Sequence, residues 1–380
     1  MNKKVIITGA TGQDGSYFID FLLENTDNTV IAAVRRTSQA ILDNLEHNLG
    51  NPRLKLVTLD LTDPNAVRDL IKDEKPDYFI NLGAQTFVAD SWKSPVAHMN
   101  TNAMTVIYIL EAIKEYCPLC RFYSAGSSEQ WGNVSYSPQD EKHPLRPRSV
   151  YGVSKCAAAL LTKVYRESYG LYAVHGILFN HESPRRQKYF VTRKITYGAA
   201  KIYSQIKNNQ NVTPIELGNL DAKRDWSHAK DFVDGIWRML NQEKYDPTLK
   251  TFSESVLINK YPSDLIDNLR EYVLSSDECH SIREFVELTF EKIYSYLFKY
   301  EQGKFYWKGS GLDEEYIFET NGGKVFTLVK INKDFFRPAE VDLLWGDSRR
   351  ARHFLGWSPD YTFKELINEM VENDIKQIQK

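Results

Sequence analysis

Short apolar runs alternate with longer amphipathic stretches along the first 180 residues of the chain. The apolar runs, rich in β-branched residues, read KVIIT, NTVIAAV, LKLVTL, DYFINL, RFYSA and YAVHGIL. Amphipathic stretches such as 64–73 and 102–116 lie between them. Strands that alternate with helices predict an α/β fold with a doubly wound parallel sheet of the Rossmann type, which we place at residues 1–180.

The alternation fades after residue 180, and this change predicts a smaller, mixed α/β carboxy-terminal domain over residues 181–380. Its helical patterns lie near 190–207, 228–241, 280–297 and 362–378. We expect residues from about 213 to 240 to return to the first domain. The segments 243–270 and 296–330 have the character of insertions without a chemical motif, and surface elaborations or oligomer contacts are the favoured interpretation.

Composition and charge exclude several classes of function. Of the 380 residues, 48 are Lys or Arg and 50 are Asp or Glu, so no global field favours nucleic acid or an anionic membrane. No apolar run is as long as a membrane span, and MNKKVIITG leads straight into a strand, so we expect a cytoplasmic protein. The cysteines are too scattered for a disulfide framework, and Cys117-x-x-Cys120 lacks the further ligands of a metal site.

A glycine-rich turn follows the first apolar run. Gly9, Gly12 and Gly15 lie between the strand at 4–8 and an amphipathic helical stretch. Glycines let the backbone turn tightly and approach a pyrophosphate, while the helix amino-terminus supplies free N–H donors. Strand, turn and helix in this order predict a dinucleotide site. The contacts expected from the turn are Gly9, Thr11, Gly12, Gln13, Asp14 and Gly15.

The end of the second apolar run indicates which dinucleotide is bound. A cofactor without a ribose phosphate usually calls for an acidic residue here, but the sequence has Arg35 and Arg36, then Thr37 and Ser38. Cations and hydroxyls suit a 2′-phosphate, so NADP is preferred over NAD, with a solvated basic turn as the alternative. Fold geometry adds contacts at the ends of the third and fourth runs: Asp60, Leu61, Leu82, Ala84 and Gln85.

Tyr151 and Lys155 are four residues apart at the start of a clear helical pattern, so their side chains share one face. A nearby ammonium favours the phenolate, and we therefore expect Lys155 to lower the pKa of Tyr151 toward working pH. Tyr151 then becomes a plausible acid and base. Together with the glycine turn, the pair predicts hydride transfer on and off a hydroxyl-bearing substrate.

The strand end before Tyr151 reads SAGSSEQWG, and at this point the chain resembles the extended short-chain dehydrogenase/reductases, most closely the GDP-mannose 4,6-dehydratases. The resemblance spans nearly the whole chain, with its segments in the family's order. They are GATGQDGSYF at 9–18, VRRTS at 34–38, SSE at 127–129, YGVSK at 151–155, LFNHESPRR at 178–186, FVTRKI at 190–195, GNLDAKRDWSHAKDFV at 218–233, HSIREFVE at 280–287 and RPAEVDLLWGD at 337–347.

The resemblance implies oxidation of a sugar at carbon 4, loss of water across carbons 5 and 6, and return of the hydride to carbon 6. Tyr151 is then the base for the 4-hydroxyl, with Lys155 holding the cofactor ribose and Ser127 bonding the same oxygen. Glu129 matches the family's catalytic glutamate, which takes the carbon 5 proton and protonates the departing hydroxyl. Ser127 replaces the family's usual Thr but keeps the hydroxyl, so we expect its role to be the same. Gln130 and Trp131 replace the family's Leu and Tyr and could alter the pocket wall, so the identity of the sugar stays open.

The resemblance also implies a site for the nucleotide-sugar. Arg186 matches a cofactor contact. We include His181 among the expected cofactor contacts, although a lone histidine more often has a structural role. A GDP-sugar carries two phosphates, so a nearly neutral protein must concentrate cations locally. The residues that match substrate contacts are Ser128, Asn180, Phe190, Val191, Lys194, Leu217, Gly218, Lys223, Arg224, Arg337 and Glu340.

Other functions remain open on the sequence alone. A GDP-sugar reductase or epimerase, a dehydratase of a GDP-heptose, and a dinucleotide-sensing regulator share much of this pattern, although Glu129 favours a dehydratase. Family resemblance suggests a homodimer or homotetramer with loop 37–49 near a cofactor site between subunits.

Overall fold

The structure is a computed structural model that describes residues 2–35, 42–242, 271–336, 341 and 343–379. Several sequence-based expectations lie outside the described residues. They are the insertion at 243–270, residues 37–41 of the loop, Arg36, Arg337 and Glu340.

A seven-stranded parallel sheet organises the amino-terminal half. Its strands are β1 (Lys4–Thr8), β2 (Thr29–Val34), β3 (Leu54–Thr58), β4 (Tyr78–Asn81), β5 (Arg121–Ala125), β6 (Ala173–Leu178) and, later in the chain, β11 (Glu271–Leu274). Their order is β11-β6-β5-β4-β1-β2-β3, and every neighbouring pair is parallel. The doubly wound sheet predicted from the alternating pattern is confirmed, and β11 extends it by one strand.

Helices follow the amphipathic stretches closely. They are α1 (Gln13–Asn25), α2 (Pro64–Glu74), α3 (Pro95–Met99), α4 (Thr105–Tyr116), α5 (Val150–Tyr169), α6 (Val191–Lys207), α7 (Ala229–Leu240), α8 (Ile282–Leu297), α9 (Arg349–Leu355) and α10 (Phe363–Gln379). A π-helical turn at Asn100–Met104 joins α3 to α4. In the described part of the chain, no helix is both long and apolar enough to cross a membrane.

The central strands are apolar along their whole length because both faces of the sheet are covered. Successive residues of β1 point to opposite faces, so Ile7 packs in one core with Phe18 of α1 and Phe232 of α7. Ile6 packs on the other face with Ile109 of α4. Burying each such side chain contributes about 1.5–3 kcal/mol, which holds the sheet and its helices as one unit.

Helix α5 has a defined start and a defined end. The Ser149 hydroxyl accepts a hydrogen bond from the backbone N–H of Gly152 at 3.0 Å, as expected of an amino-terminal cap. Gly170 ends the helix in the left-handed region at φ 64°. The first two turns, which carry Tyr151 and Lys155, are therefore rigidly placed.

The remaining strands are short and form mixed sheets. They are β7 (Asn180–Glu182), β8 (Ile215–Leu217), β9 (Lys223–Arg224), β10 (Trp226–His228), β12 (His280–Ser281), β13 (Gly303–Lys308), β14 (Glu315–Thr320), β15 (Val325–Ile331) and β16 (Leu343–Leu344). The segment 296–330 supplies most of the sheet β13-β14-β15-β8, and its Phe318 is buried with Phe285 of α8 and Met370 of α10. The domain boundary near residue 180 stays a prediction.

Candidate active site

The order of the large sheet reverses at β1, because β2 and β3 lie on one side of it and β4 to β6 on the other. In open α/β sheets this reversal leaves a crevice at the carboxyl ends of the strands, where ligands bind. The glycine turn follows β1, Arg35 follows β2, and residues 82–85 follow β4. The sequence-predicted cofactor contacts therefore meet along one edge.

The glycine turn leaves no room for side chains. Gly9 has φ 67°, and a Cβ there would lie 2.7 Å from the carbonyl oxygen of Leu82. A Cβ on Gly15 would lie 2.3 Å from the carbonyl oxygen of Gly9. Gly12, at the cap position of α1, has no side chain that could bond the first N–H groups of the helix. These N–H groups therefore face the crevice uncapped. This arrangement fits a pyrophosphate, which binds such N–H groups and the positive end of the helix dipole.

Asp14 and His181 are bonded to each other beside this turn. His181 Nε2 lies 2.9 Å from a carboxylate oxygen of Asp14, and its Nδ1 lies 2.8 Å from the carbonyl oxygen of Phe179. Burial opposes the charge of Asp14, but His181 outweighs it, so the pKa of Asp14 is lowered. The pair ties β7 to the start of α1, and contact of either residue with the cofactor stays a prediction.

The segments after β3 and β4 are held by side-chain bonds of their own. Asp60 accepts hydrogen bonds from the backbone and the hydroxyl of Thr62, and these bonds lower its pKa. Asn102, in the π-helical turn, accepts from the backbone N–H of Gln85 at 2.8 Å and donates to Ser154 at 3.0 Å. Sequence reasoning missed Asn102, since an asparagine within a helical pattern carries no distinctive signal.

Three of the predicted catalytic residues meet at the end of β5 and the start of α5. The Ser127 hydroxyl accepts a hydrogen bond from the backbone N–H of Glu129 at 3.2 Å and lies near enough to the Tyr151 phenol to lower its pKa. The negative charge of Glu129 acts directly on the Tyr151 phenol. A Cβ on Gly152 would lie 2.6 Å from the carbonyl oxygen of Glu129, so only glycine lets α5 approach the turn that carries Glu129.

Lys155 lies one helical turn beyond Tyr151 and is buried. Its Nζ donates to the carbonyl oxygen of Ala125 at 2.7 Å and lies 5.8 Å from the centre of the Tyr151 ring. Burial lowers the pKa of Lys155 to about 8, and the negative charge of Asp14 opposes this shift only in part.

The expected lowering of the Tyr151 pKa is not found in the protein alone. Burial raises that pKa to about 12, and the charge of Glu129 adds to the rise, while the Ser127 hydrogen bond opposes it. Helical spacing correctly predicted that Tyr151 and Lys155 share a face. Spacing could not show that burial raises the pKa of the phenol by more than the nearby ammonium lowers it.

A polar pair that sequence reasoning missed lies directly beneath the catalytic turn. His175 on β6 is fully buried, and its Nε2 lies 3.3 Å from Oε1 of Gln130. Burial lowers the pKa of His175 to about 3, with Lys155 and Arg166 adding to the effect, so the ring is neutral. Trp131 is buried in the core beside Phe179, with the two ring centres 5.7 Å apart.

The predicted substrate contacts form a second group around β7 and α6. Asn180 has a buried Oδ1 without a hydrogen-bond partner among the described residues, as expected of an atom that awaits a ligand. Arg186 is paired with Glu182 at 3.0 Å, and its guanidinium lies 3.6 Å from the centre of the Phe190 ring. Phe190 precedes Val191, the first residue of α6.

Lys194 and Gly218 meet around Phe335, an aromatic residue that sequence reasoning did not select, and Leu217 ends β8 directly before Gly218. Lys194 Nζ lies 3.4 Å from the centre of the Phe335 ring. A Cβ on Gly218 would lie 2.8 Å from the carbonyl oxygen of Phe335. A cation and an aromatic face in contact are features that suit a nucleobase or a phosphate. Lys223 and Arg224 lie on β9, between β12 and β16.

Comparison with known proteins places this geometry in a family. The family model described as GDP-mannose 4,6 dehydratase matches residues 6–261 and 265–370. The GDP-mannose 4,6 dehydratase of Drosophila melanogaster is 39% identical over 388 residues, which cover 100% of this chain and 88% of the fly protein. The human GDP-mannose 4,6 dehydratase is 39% identical over 381 residues, covering 98% of this chain and 91% of the human protein.

Solved structures share the fold at lower identity. The UDP-glucuronic acid 4-epimerase of Bacillus cereus, in complex with UDP-glucuronic acid and NAD, has a TM-score of 0.73 at 20% identity, with 99% of each chain covered. RMD from Pseudomonas aeruginosa, complexed with NADPH, has a TM-score of 0.69 at 21% identity, with 99% of each chain covered. These likenesses concern the fold alone. Because the family model and relatives such as the fly and human proteins match nearly the full chain, it belongs to the GDP-mannose 4,6-dehydratase family.

Proposed function

We propose that this protein is a hydro-lyase that converts GDP-mannose to GDP-4-dehydro-6-deoxy-mannose with a tightly bound NADP. The observation that carries the proposal is the meeting of Ser127, Glu129 and Tyr151 beside the glycine turn, in a chain of this family. These residues provide an acid and base for the 4-hydroxyl of the sugar and a separate carboxylate for the neighbouring carbon 5.

The crevice residues fit a nicotinamide dinucleotide. The side-chain-free turn at Gly9 and Gly15 exposes N–H groups to a pyrophosphate, and Arg35 provides charge for a 2′-phosphate, which favours NADP over NAD. Lys155 holds the ribose beside the reactive centre. When bound, the nicotinamide supplies the acceptor for the hydride of carbon 4 and the donor of the hydride for carbon 6.

Oxidation at carbon 4 requires a base for the 4-hydroxyl proton, and we assign this role to Tyr151. The Ser127 hydroxyl, which lies beside the phenol, stabilises the phenolate and orients the sugar oxygen. Burial keeps the phenol protonated in the protein alone, even with Lys155 nearby, so its ionisation would depend on the positive charge that a bound, oxidised nicotinamide would add.

Elimination requires a second base, and we assign this role to Glu129. Its carboxylate removes the carbon 5 proton, which the new 4-ketone has made acidic, and passes that proton to the 6-hydroxyl as it leaves as water. Carbon 5 then gains one proton as carbon 6 receives the hydride, and this proton balances the one first taken from the 4-hydroxyl. The overall change is therefore the loss of one water.

The nucleotide of the substrate is assigned to the group around α6 and β9. Asn180 offers its unpaired oxygen, Lys194 and Phe335 offer a cation beside a ring, and Arg224 offers charge for the diphosphate. Arg337 and Glu340 complete the set that the family resemblance implies.

Incubation with a panel of GDP-sugars in deuterated water tests the function. We expect GDP-mannose to lose water and to gain one deuterium at carbon 5, as measured by mass spectrometry, without net formation or loss of NADPH. Steady consumption of NADPH would instead indicate a GDP-sugar reductase, and an unchanged mass an epimerase. A faster reaction with a GDP-heptose than with GDP-mannose would show that the preferred sugar is a heptose.

We also propose a homodimer, in line with the family resemblance. Helix α5 exposes Val153, Leu160 and Val164 on the face opposite Tyr151 and Lys155, each at about half of its surface. Trp92 and Val96, around α3, are exposed at 52% and 70%. Apolar side chains grouped in this way favour burial against a second copy of the chain.

A further inference from the structure

The segment 183–190, called the strap here, connects β7 to α6 beside the crevice. Its beginning is fixed to α1. The Ser183 hydroxyl donates to the side chain of Gln13 at 2.7 Å, and Arg185 donates to Asp20 at 2.6 Å.

The first half of the strap is also fixed by a buried arginine. Arg193, only 3% exposed, donates to the backbone carbonyl oxygen of Arg186 at 2.9 Å and to that of Pro184. Its guanidinium is paired with the fully buried Asp374 of α10 at 2.6 Å. Buried ion pairs of this kind are costly to break, so the first half of the strap is firmly held.

The second half of the strap is largely exposed, and its last two residues contact the sheet half of the molecule. Tyr189 is 54% exposed, yet its ring centre lies 5.3 Å from that of Phe87, which follows β4 and is 40% exposed. Phe190 also contacts Phe87, at 5.9 Å, and lies 4.7 Å from Tyr189. These distances are those of favourable aromatic pairs.

The strap lies across the ends of β1 and β4, because it is bonded to Gln13 at the start of α1 and contacts Phe87 after β4. In the sheet, β1 with its glycine turn lies between β4, which leads to Phe87, and β2, which leads to Arg35. Burial raises the pKa of the Tyr189 phenol, and the positive charges of Arg186 and Arg35 oppose the rise.

We propose that the contact between Tyr189 and Phe87 is a latch that keeps the dinucleotide bound under the strap from one turnover to the next. The inference rests on the proposed function, because an enzyme that returns the hydride to the same sugar uses the same cofactor molecule throughout. A net reductase, by contrast, must exchange its cofactor in each cycle.

The dissociation rate of NADPH tests the latch without any sugar. The fluorescence of bound NADPH is followed in a stopped-flow instrument after mixing with excess NADP. Phe87→Ala and Tyr189→Ala are each expected to raise this rate about tenfold, the scale of a lost aromatic pair together with its buried area. Tyr189→Phe keeps the ring and should stay within about twofold of the unchanged protein.

A matched control is Tyr300→Ala, which removes a half-exposed tyrosine whose ring contacts Tyr203. It should leave NADPH release unchanged. The double variant Phe87→Ala/Tyr189→Ala should release NADPH no faster than the faster single variant, because both changes remove one shared contact.

The latch is overturned if both single variants release NADPH at the original rate, or if their effects multiply in the double variant. Failure of the proposed function is seen separately, as an absence of dehydrated product from GDP-mannose with the unchanged protein. NADPH release is measured without substrate, so each result decides its own question.

Discussion

Glu129 and Tyr151 act on each other at the residue scale. Burial raises the pKa of the Tyr151 phenol to about 12, and the negative charge of Glu129 adds to the rise. The phenol therefore stays protonated in the protein alone. In the proposed reaction the two groups serve different carbons of the sugar.

Replacing Glu129 by Gln should separate the two halves of the proposed reaction. Tyr151 and Ser127 remain, so oxidation at carbon 4 continues, but elimination loses its base and turnover falls at least about 100-fold. Absorbance at 340 nm should show reduced cofactor accumulating on the protein after GDP-mannose is added. Full turnover by this variant would exclude the assigned role.

The proposed preference for NADP depends on Arg35, whose neighbour Arg36 lies outside the described residues. Removing a charge-assisted bond to the 2′-phosphate should weaken NADPH binding by about 10- to 100-fold and leave NADH binding unchanged. Titration of Arg35→Ala with both cofactors measures this difference. Equal weakening of both would indicate a general electrostatic effect.

The lowered pKa of Lys155 predicts a pH-dependent contribution to stability. With a folded pKa of about 8, against 10.5 for ordinary lysine, Lys155 binds fewer protons in the folded protein than in the unfolded chain between these values. Stability of the cofactor-free protein therefore rises with pH in this window. The melting temperature of the original protein, relative to Lys155→Met, should increase from pH 8 to pH 10.

The comparison ends near pH 10 because Tyr151, with its raised pKa, acts in the opposite direction above that value. A difference in melting temperature that is independent of pH would show that Lys155 is not desolvated as the structure indicates.

At the scale of elements, the turn between β1 and α1 is the most constrained piece of the site. Gly15→Ala would place a Cβ 2.3 Å from a backbone oxygen, which must shift the turn. We expect NADPH binding to weaken at least about tenfold and stability to fall by about 1–3 kcal/mol. Calorimetric titration and denaturant unfolding measure the two effects.

Gly322→Ala is the matched control, since the nearest described atom to a Cβ there is the Thr320 hydroxyl at 3.8 Å. This variant should bind NADPH normally. If both alanine variants behaved alike, the close approach at Gly15 would not limit the site.

For the whole molecule, the exposed apolar face of α5 predicts assembly. Leu160→Asp places a charge where a second copy would bury an apolar side chain, so the dimer should dissociate at micromolar concentration. Leu312→Asp, at a residue 58% exposed beyond β13, is the matched control. Sedimentation velocity measures the oligomeric state of both variants. A Leu160→Asp protein that stays dimeric would show that this face is not the dimer interface.

Sequence patterns alone determined the parts of the protein that depend on local periodicity. Strands buried on both faces require unbroken apolar runs, so the parallel sheet could be predicted, although β11 and the short strands β9, β12 and β16 could not. The glycine turn and the shared face of Tyr151 and Lys155 are also local, because both follow from spacing along the chain.

Only the tertiary structure decided what lies across strands. The packing of the strap against the end of β4 brings Tyr189 to Phe87, and the neighbouring strands β5 and β6 bring His175 under the catalytic turn. Tyr151 was expected to have a lowered pKa and has a raised one, because burial depends on every element packed around it. Periodicity in the sequence indicates which face of an element is buried, but strand order and packing decide what that face meets.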